Sequence, residues 1–246
     1  MVNNESTTIS NLTSGETYTF FVYVRAADNV TESDPMNRTT CTDPTPPGSI
    51  AFPMIGTKNV TLSWGDPVNM TGVMKSYNIT YWNFSSSIIA GPVRSDNANV
   101  TLQNLMSGSN YTISVVTVGA LGYQSTSVIG LVCTKPLSVK LPQIVAKTTN
   151  SMSLNWTQPD EYQSSYTYRV LTNVTSSSTL INNTIVSSAS ATIRNLTAGE
   201  TFTFLIYTIS ACNSTESNPV SITDCTPFTT ANPIPPIILT HFTGFL

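Results

Sequence analysis

The stretch NLTSGETY at residues 11–18 decides the fold, because close copies of it return twice along the chain. The copies are NLMSGSNY at residues 104–111 and NLTAGETF at residues 195–202. A near-constant period of this length indicates a repeat architecture, in which one structural unit recurs along the chain. The first and third copies resemble each other more than either resembles the middle copy. This pattern favours duplication of a two-module unit.

Other landmark residues keep the same spacing. Trp64 and Trp156 lie 92 residues apart, and so do successive members of the set Cys41, Cys133 and Cys225. A unit of about 92 residues has the right size for a small all-β sandwich of seven strands.

Hydrophobic periodicity within each repeat is that of β-strands. Between residues 18 and 24 the side chains alternate between two faces, and Val60, Leu62 and Trp64 alternate with Thr61 and Ser63. β-branched and aromatic residues dominate these runs, and Gly, Asp, Asn and Pro bound them. The sequence therefore predicts an all-β chain of short strands.

The repeated motifs resemble those of the fibronectin type III family. That family has a Trp on its second strand, a Tyr-x-x-x-Tyr-like third strand and a Leu-x-x-Gly-x-x-Tyr corner before its sixth. The third-strand pattern is matched by residues 77–81 and 166–170. The resemblance implies tandem immunoglobulin-like seven-strand β-sandwiches arranged as beads on a string. It implies core positions at Trp64, Trp156, Leu12, Leu105, Leu196, Tyr18, Tyr111 and Phe202.

Four segments follow from this resemblance. We predict the C-terminal half of a module at residues 1–43, complete modules at 44–135 (module 2) and 136–227 (module 3), and a linker or divergent tail at 228–246. In the family the Tyr hydroxyl bonds the backbone at the corner before its strand. Phe202 lacks that hydroxyl, so we expect module 3 to satisfy the corner in another way, at a cost of about 1 kcal/mol.

Charge excludes several classes of partner. The net charge is −3 and charged residues make up only 9% of the chain, without a basic stripe. Neither nucleic acid nor an anionic membrane surface is therefore an expected partner. Solubility must come from neutral polar groups or from groups attached to them, for which N-linked glycans are the obvious candidate.

Acceptor motifs for N-glycosylation, Asn-x-Ser/Thr without Pro in the middle, are dense. Chance could produce several in a sequence so rich in Asn and Thr, but some recur at equivalent turn positions of the first and third repeats. Two of them, Asn78 and Asn155, lie within predicted strands and are usable only if they face outward. The motifs begin at Asn4, Asn11, Asn29, Asn37, Asn59, Asn69, Asn78, Asn83, Asn99, Asn110, Asn155, Asn173, Asn182, Asn195 and Asn213.

The four cysteines do not suggest a disulfide framework. Cys41, Cys133 and Cys225 occupy equivalent module ends, which should lie tens of Å apart, beyond the roughly 7 Å Cα limit for a bridge. A bond between Cys212 and Cys225 is not expected either, because antiparallel pairing places other residues opposite each. We expect free thiols partly buried at module junctions; bonds to cysteines outside this chain are the alternative.

Catalysis by this chain is not expected. His241 is the only histidine and lies in the predicted tail, where no nucleophile, metal ligand or phosphate loop can be assembled around it. We predict no catalytic, cofactor-binding or metal-binding residue and no cofactor. Arg-Gly-Asp is absent, and Tyr123 is a candidate for a binding loop or, more simply, a strand-edge residue.

The leading hypothesis for function is an extracellular, glycosylated spacer and adhesion segment of a cell-surface receptor. The dense acceptor motifs and divergent repeats resemble those of receptor-type tyrosine-protein phosphatases of the eta, beta and H kind, which implies a membrane-anchored parent with a cytoplasmic phosphatase domain. The alternative is a matrix or adhesion protein without an enzyme. The expected partners are extracellular or cell-surface proteins. Neither a signal peptide nor a membrane span is present, so either the chain is a fragment, as we expect, or the extracellular interpretation is wrong.

Overall fold

The computed structural model of the chain describes residues 5–84 and 89–228, and its regular secondary structure is almost entirely β-strand. Asn4, His241 and nearly all of the predicted tail lie outside the described residues. No α-helix occurs among the residues described, whose one helical element is a 3₁₀ turn at Ala120–Gly122. The all-β prediction is confirmed.

The described residues form sixteen strands. In chain order they are β1 Thr17–Val22, β2 Met36–Cys41, β3 Ile50–Ile55, β4 Val60–Trp64, β5 Ser76–Asn83, β6 Ile89–Ser95, β7 Asn99–Leu102, β8 Asn110–Val118, β9 Val128–Cys133, β10 Lys140–Thr148, β11 Ser151–Thr157, β12 Thr167–Val174, β13 Thr179–Val186, β14 Ser190–Arg194, β15 Thr201–Ile209 and β16 Val220–Cys225.

The first of two compact units comprises Met1–Pro136 together with Ser210–Thr215. It contains a two-stranded sheet β1-β2, a three-stranded sheet β3-β4-β7 and a four-stranded sheet β6-β5-β8-β9. All pairings are antiparallel. The three- and four-stranded sheets together supply the seven strands that the repeat length predicts for module 2.

The core of the first unit follows from strict alternation along its strands. Val60, Leu62 and Trp64 are buried on β4, while the residues between them are half-buried. Trp64 meets the ring of Tyr77 on β5 edge-on, with ring centroids 5.1 Å apart. Because β4 and β5 belong to different sheets, this contact fills the space between the sheets with aromatic side chains.

The second unit comprises Leu137–Ile209 and Glu216–Leu246 and contains the sheets β10-β11-β14 and β13-β12-β15-β16. Its core is centred on Trp156 of β11, whose ring lies 5.4 Å from that of Tyr168 on β12. The same aromatic pair therefore recurs at the same place in two sandwiches.

The corner before the sixth strand is held by a tyrosine hydroxyl in two of the three repeats. The Tyr18 hydroxyl accepts a hydrogen bond from the Thr13 backbone N–H at 2.8 Å, and the Tyr111 hydroxyl accepts one from the Met106 N–H at 2.7 Å. Phe202, buried at the equivalent place, has no hydroxyl to accept such a bond.

A threonine holds the same corner in all three repeats. The hydroxyls of Thr42, Thr134 and Thr226 each donate to a corner carbonyl, of Thr13, Met106 and Thr197 respectively, at 2.6, 2.8 and 2.6 Å. In module 3 this bond joins the corner to the end of β16 without the tyrosine. The threonine after each repeated cysteine is the sequence signal for it.

We predict that Tyr111→Phe lowers the free energy of unfolding by about 1–2 kcal/mol, because the Met106 N–H loses its acceptor in a partly buried place. Urea unfolding of the variant measures the change. Phe202→Tyr is the reciprocal variant, in which an added hydroxyl should leave stability unchanged or raise it by about 1 kcal/mol. Equal stability of Tyr111→Phe and wild type would show that the threonine bond alone holds the corner.

A second prediction concerns alkaline pH. Burial, with a hydrogen bond to Asp66, raises the pKa of Tyr77 to about 12, and burial raises the pKa of Tyr168 to about 12. An unfolded tyrosine titrates near pH 10. Between pH 10 and 12 the unfolded chain releases protons that the folded chain retains, so stability is full below pH 10 and falls by up to about 1.4 kcal/mol per pH unit for each tyrosine. Urea unfolding across this range measures the slope, which Tyr77→Phe should make shallower.

Candidate functional site

The acceptor asparagines divide into two groups by exposure. Nine are exposed: Asn11, Asn29, Asn37, Asn69, Asn99, Asn110, Asn155, Asn195 and Asn213. Five are half-buried: Asn59, Asn78, Asn83, Asn173 and Asn182. Asn155 projects from β11 between the buried Leu154 and Trp156, so it meets the condition of facing outward. The nine exposed side chains are therefore accessible to an attached sugar in the folded chain.

Backbone geometry accounts for asparagine at the repeated corner. Asn11, Asn104 and Asn195 adopt left-handed φ angles of 62°, 58° and 61°. Among non-glycine residues, asparagine is enriched in this conformation. Asn104 keeps it although Met106 abolishes the acceptor motif there. The asparagine is thus required by the corner, and the motifs at Asn11 and Asn195 arise from the threonine two residues later.

The hairpin tips show the same backbone requirement. Asn29, in the loop between β1 and β2, and Asn213, in the loop between β15 and β16, have φ angles of 58° and 54°. Leu121 takes a φ of 55° in the corresponding loop of module 2. Tyr123 closes that loop and is about half exposed. At both β-hairpin tips the acceptor asparagine itself, Asn29 or Asn213, is exposed.

Several motif threonines also have partners within the sheets. Thr61 and Thr101 lie opposite each other on β4 and β7, and their hydroxyls are 2.9 Å apart. The Thr39 hydroxyl lies 2.8 Å from that of Thr19, its neighbour across β1 and β2. Such cross-strand pairs stabilise a sheet by a few tenths of a kcal/mol. Part of the threonine content is thus explained by pairing.

The structural core positions inferred from the family resemblance are mostly interior. Six of these positions are buried: Trp64, Trp156, Leu105, Leu196, Tyr111 and Phe202. The other two, Leu12 and Tyr18, are only half-buried. Both half-buried residues belong to the segment at residues 1–43, whose described strands form only the two-stranded sheet β1-β2. Because a two-stranded sheet has no second sheet packed against its apolar face, side chains on that face stay partly exposed.

The prediction that all the cysteines are free is wrong for two of them. Cys133 and Cys212 form a disulfide, with Cα atoms 6.6 Å apart, within the range for a bridge. Of the other two, Cys41 is a buried free thiol and Cys225 an exposed one. The repeat spacing identifies cysteines at equivalent module ends, but it carries no information on a contact between a module end and a loop 79 residues away.

The hairpin tip that carries Cys212 explains the bridge. Residues Ser210–Thr215 of this loop belong to the first compact unit, although the whole of β15, which ends at Ile209, belongs to the second. The Thr215 hydroxyl donates to the Thr134 carbonyl at 2.9 Å, beside the disulfide. Proximity of Cys133 to Cys212 is therefore a tertiary contact over a sequence separation of 79 residues.

Ion pairs on the second unit stabilise strands and do not form a reactive centre. Arg169 binds Glu216 through two nitrogens and stacks 4.3 Å above the Tyr207 ring. A hydrogen bond from Lys147 lowers the pKa of Asp224, and the same bond raises the pKa of Lys147. Because Lys147 and Asp224 carry opposite charges, the lowered pKa of Asp224 and the raised pKa of Lys147 both favour the charged form of the group concerned.

Metal-ligand clusters and membrane-spanning helices are both absent from the described part of the chain. Residues 5–84 and 89–228 contain no group of three or more His, Cys, Asp or Glu side chains placed to hold a metal ion. Within these ranges no helix has the length and apolar character needed to cross a bilayer.

The disulfide leads to a prediction about thiols and stability. Without reduction, the native chain should show one rapidly alkylated thiol, Cys225, and a second, Cys41, only after unfolding. The double variant Cys133→Ala/Cys212→Ala should lose about 2–4 kcal/mol of unfolding free energy, because the bridge closes a long loop in the unfolded chain. Alkylation with mass spectrometry and urea unfolding measure both effects. Four alkylated thiols without reductant would contradict the bridge.

Comparison with protein-family models finds the fibronectin type III domain at two places, residues 45–129 and 137–223. A solved two-domain fibronectin type III segment from chicken tenascin superposes with a TM-score of 0.51 at 23% identity, covering 74% of this chain and 99% of that one. This likeness concerns the fold alone. The module boundaries at residues 44–135 and 136–227 stay a prediction.

Two curated proteins are similar in sequence. A Kelch domain-containing protein of Saccharolobus solfataricus is 31% identical over 189 residues, which cover 73% of this chain and 24% of that protein. The receptor-type tyrosine-protein phosphatase eta of Gallus gallus is 28% identical over 219 residues, which cover 87% of this chain and 15% of that protein. The chain spans about a quarter or less of the length of these relatives.

Proposed function

The chain belongs to the fibronectin type III family, and we propose that it serves as an extracellular, N-glycosylated spacer and adhesion segment of a cell-surface receptor. The matched modules are non-catalytic, so the proposal assigns no reaction to this chain. It assigns a mechanical and recognition role, in which rigid sandwiches present loops and sugars to extracellular or cell-surface proteins.

The exposure of nine acceptor asparagines carries the proposal. They occur in all three repeats, at hairpin tips, corners and outward strand positions. A chain with only 9% charged residues needs another source of surface hydration, and attached oligosaccharides supply it. The disulfide between Cys133 and Cys212 agrees with this location, because structural disulfides persist in oxidising, extracellular surroundings.

The parent receptor that we propose is a protein tyrosine phosphatase. Its support is the similarity over 87% of this chain to a chicken protein that carries that name. The phosphatase domain would lie in the parent protein, attached through a membrane span. The second candidate is a matrix or adhesion protein without an enzyme. Its support is the similarity of this chain to a Kelch domain-containing protein, whose name does not describe a receptor.

Secreted expression in a glycosylating cell tests the location and the modification together. We expect the purified chain to lose a large mass on treatment with peptide-N-glycosidase, with aspartate appearing at several of the nine exposed asparagines. Expression in a bacterium without this modification is the matched control. A secreted chain whose mass the enzyme does not change would overturn the glycosylated-spacer proposal.

The two candidate parents differ in the sequence that follows in the gene. A membrane span followed by a domain with a His-Cys-x5-Arg phosphate-binding loop supports the receptor phosphatase, whereas further modules and a secreted end support the matrix protein. The purified chain should show no phosphatase turnover in either case.

A further inference from the structure

The outer face of the four-stranded sheet in the first unit carries an unusual group of apolar side chains, which we call the Trp82 face. It consists of Trp82 on β5, Phe84 directly after that strand, Ile89 on β6, and Ile129 and Leu131 on β9. Phe84, Ile89, Ile129 and Leu131 are 73%, 65%, 59% and 69% exposed. Soluble proteins rarely leave apolar side chains clustered in this way without a use.

Strand register places these residues side by side. Ile89 lies opposite Trp82, Trp82 lies opposite Thr112 of β8, and Thr112 lies opposite Leu131. This row crosses all four strands. Ile129 occupies the same face one step farther along β9, because successive residues on one face are two apart.

Trp82 points away from the sandwich core. Its neighbour Tyr81 packs against the core, as do Tyr77 and Ile79 at two-residue intervals along β5. Trp82 is half-buried and has no place in that core cluster. The indole therefore lies on the outer surface of the sheet.

Asn110, the first residue of an acceptor motif, lies on the same face of the sheet. It is two residues before Thr112 on β8, and both therefore project to the outer side. The Phe84 N–H donates to the Asn110 carbonyl at 3.1 Å, which puts the two residues opposite each other. On β9, Asn110 pairs with Cys133 and has Leu131 as a diagonal neighbour. Asn110 itself is exposed.

These positions bring a sugar attached to Asn110 within reach of the apolar side chains. Directly opposite side chains on a sheet are about 5 Å apart and diagonal ones about 7–8 Å. Trp82 and Leu131 are both diagonal neighbours of Asn110, one on each side. The first sugars of a glycan attached to Asn110 can therefore lie flat across Trp82 and Leu131.

The chemistry of the two surfaces is complementary. A pyranose ring presents polarised C–H groups on its faces and hydroxyls at its edge. An aromatic ring carries negative charge density on its face, which attracts such C–H groups. A sugar that packs on the indole keeps its hydroxyls in water while it removes apolar surface from water.

We propose that the core of an N-linked glycan on Asn110 packs across the Trp82 face and covers it. The proposal rests on the proposed function, because it requires the chain to be glycosylated. A glycan in this place also prevents a second sheet from docking on the apolar face, so it keeps the module from self-association through that surface.

Asn99 provides a matched control within the same module. It is an exposed acceptor on β7, in the three-stranded sheet, and it lies opposite the polar Ser63. Asn99→Gln removes one glycan from the opposite sheet and leaves the Trp82 face unaltered. Asn110→Gln removes the glycan that we propose to cover it.

Tryptophan fluorescence can report on this face selectively. The chain has three tryptophans, and Trp64 and Trp156 are only 6% and 5% exposed. Acrylamide therefore quenches mainly Trp82 in the folded protein. For secreted protein we expect Asn110→Gln to raise the Stern–Volmer constant about twofold or more over wild type, and Asn99→Gln to leave it unchanged.

Glycopeptide mass spectrometry and sedimentation on the same samples separate the outcomes. Equal quenching of Asn110→Gln and wild type, with Asn110 occupied, overturns the packing while the glycosylated-spacer proposal stands. An unmodified Asn110, with glycans present on other acceptors, also overturns the packing while the glycosylated-spacer proposal stands.

Absence of glycan at every acceptor overturns both proposals. Dimerisation of Asn110→Gln alone supports coverage by the glycan, whereas dimerisation of wild type through this face overturns it.

Discussion

The contact between an indole and a tyrosine ring across two sheets is the constraint on which each sandwich depends. Trp64 with Tyr77, and Trp156 with Tyr168, meet edge-on at interplanar angles of 68° and 69°. Sheets packed face to face are about 10 Å apart, and a smaller side chain would leave a cavity between them. Both pairs lie in the core clusters, where buried residues from the strands of both sheets surround them.

Outside the core, polar side chains keep the ends of the sandwich closed. The corner before the sixth strand has a tyrosine hydroxyl and a threonine hydroxyl bonded to neighbouring backbone groups in module 2. In module 3 the threonine bond remains where phenylalanine replaces the tyrosine. The threonine bond therefore links the corner to the chain after the last strand whether or not a tyrosine hydroxyl is present.

The surface asparagines have two roles that coincide. Asparagine suits left-handed corners and tips because it tolerates positive φ, and a threonine two residues later turns that structural choice into a glycan acceptor. Selection for folding alone therefore places asparagines at exposed turns, and the conversion of a turn into a modification site needs one further residue. Asn104, which lacks that threonine, shows the first role without the second.

The sequence by itself determined the repeat length, the all-β class and the buried tryptophans, because periodicity and local propensity are readable along the chain. It also located the acceptor motifs. Only the tertiary structure decided that Cys133 bonds Cys212 and that Asn110 lies beside Trp82. Both depend on the register between strands and on contacts between residues distant in sequence. A shift of one residue in register would move a side chain to the opposite face without changing the sequence pattern.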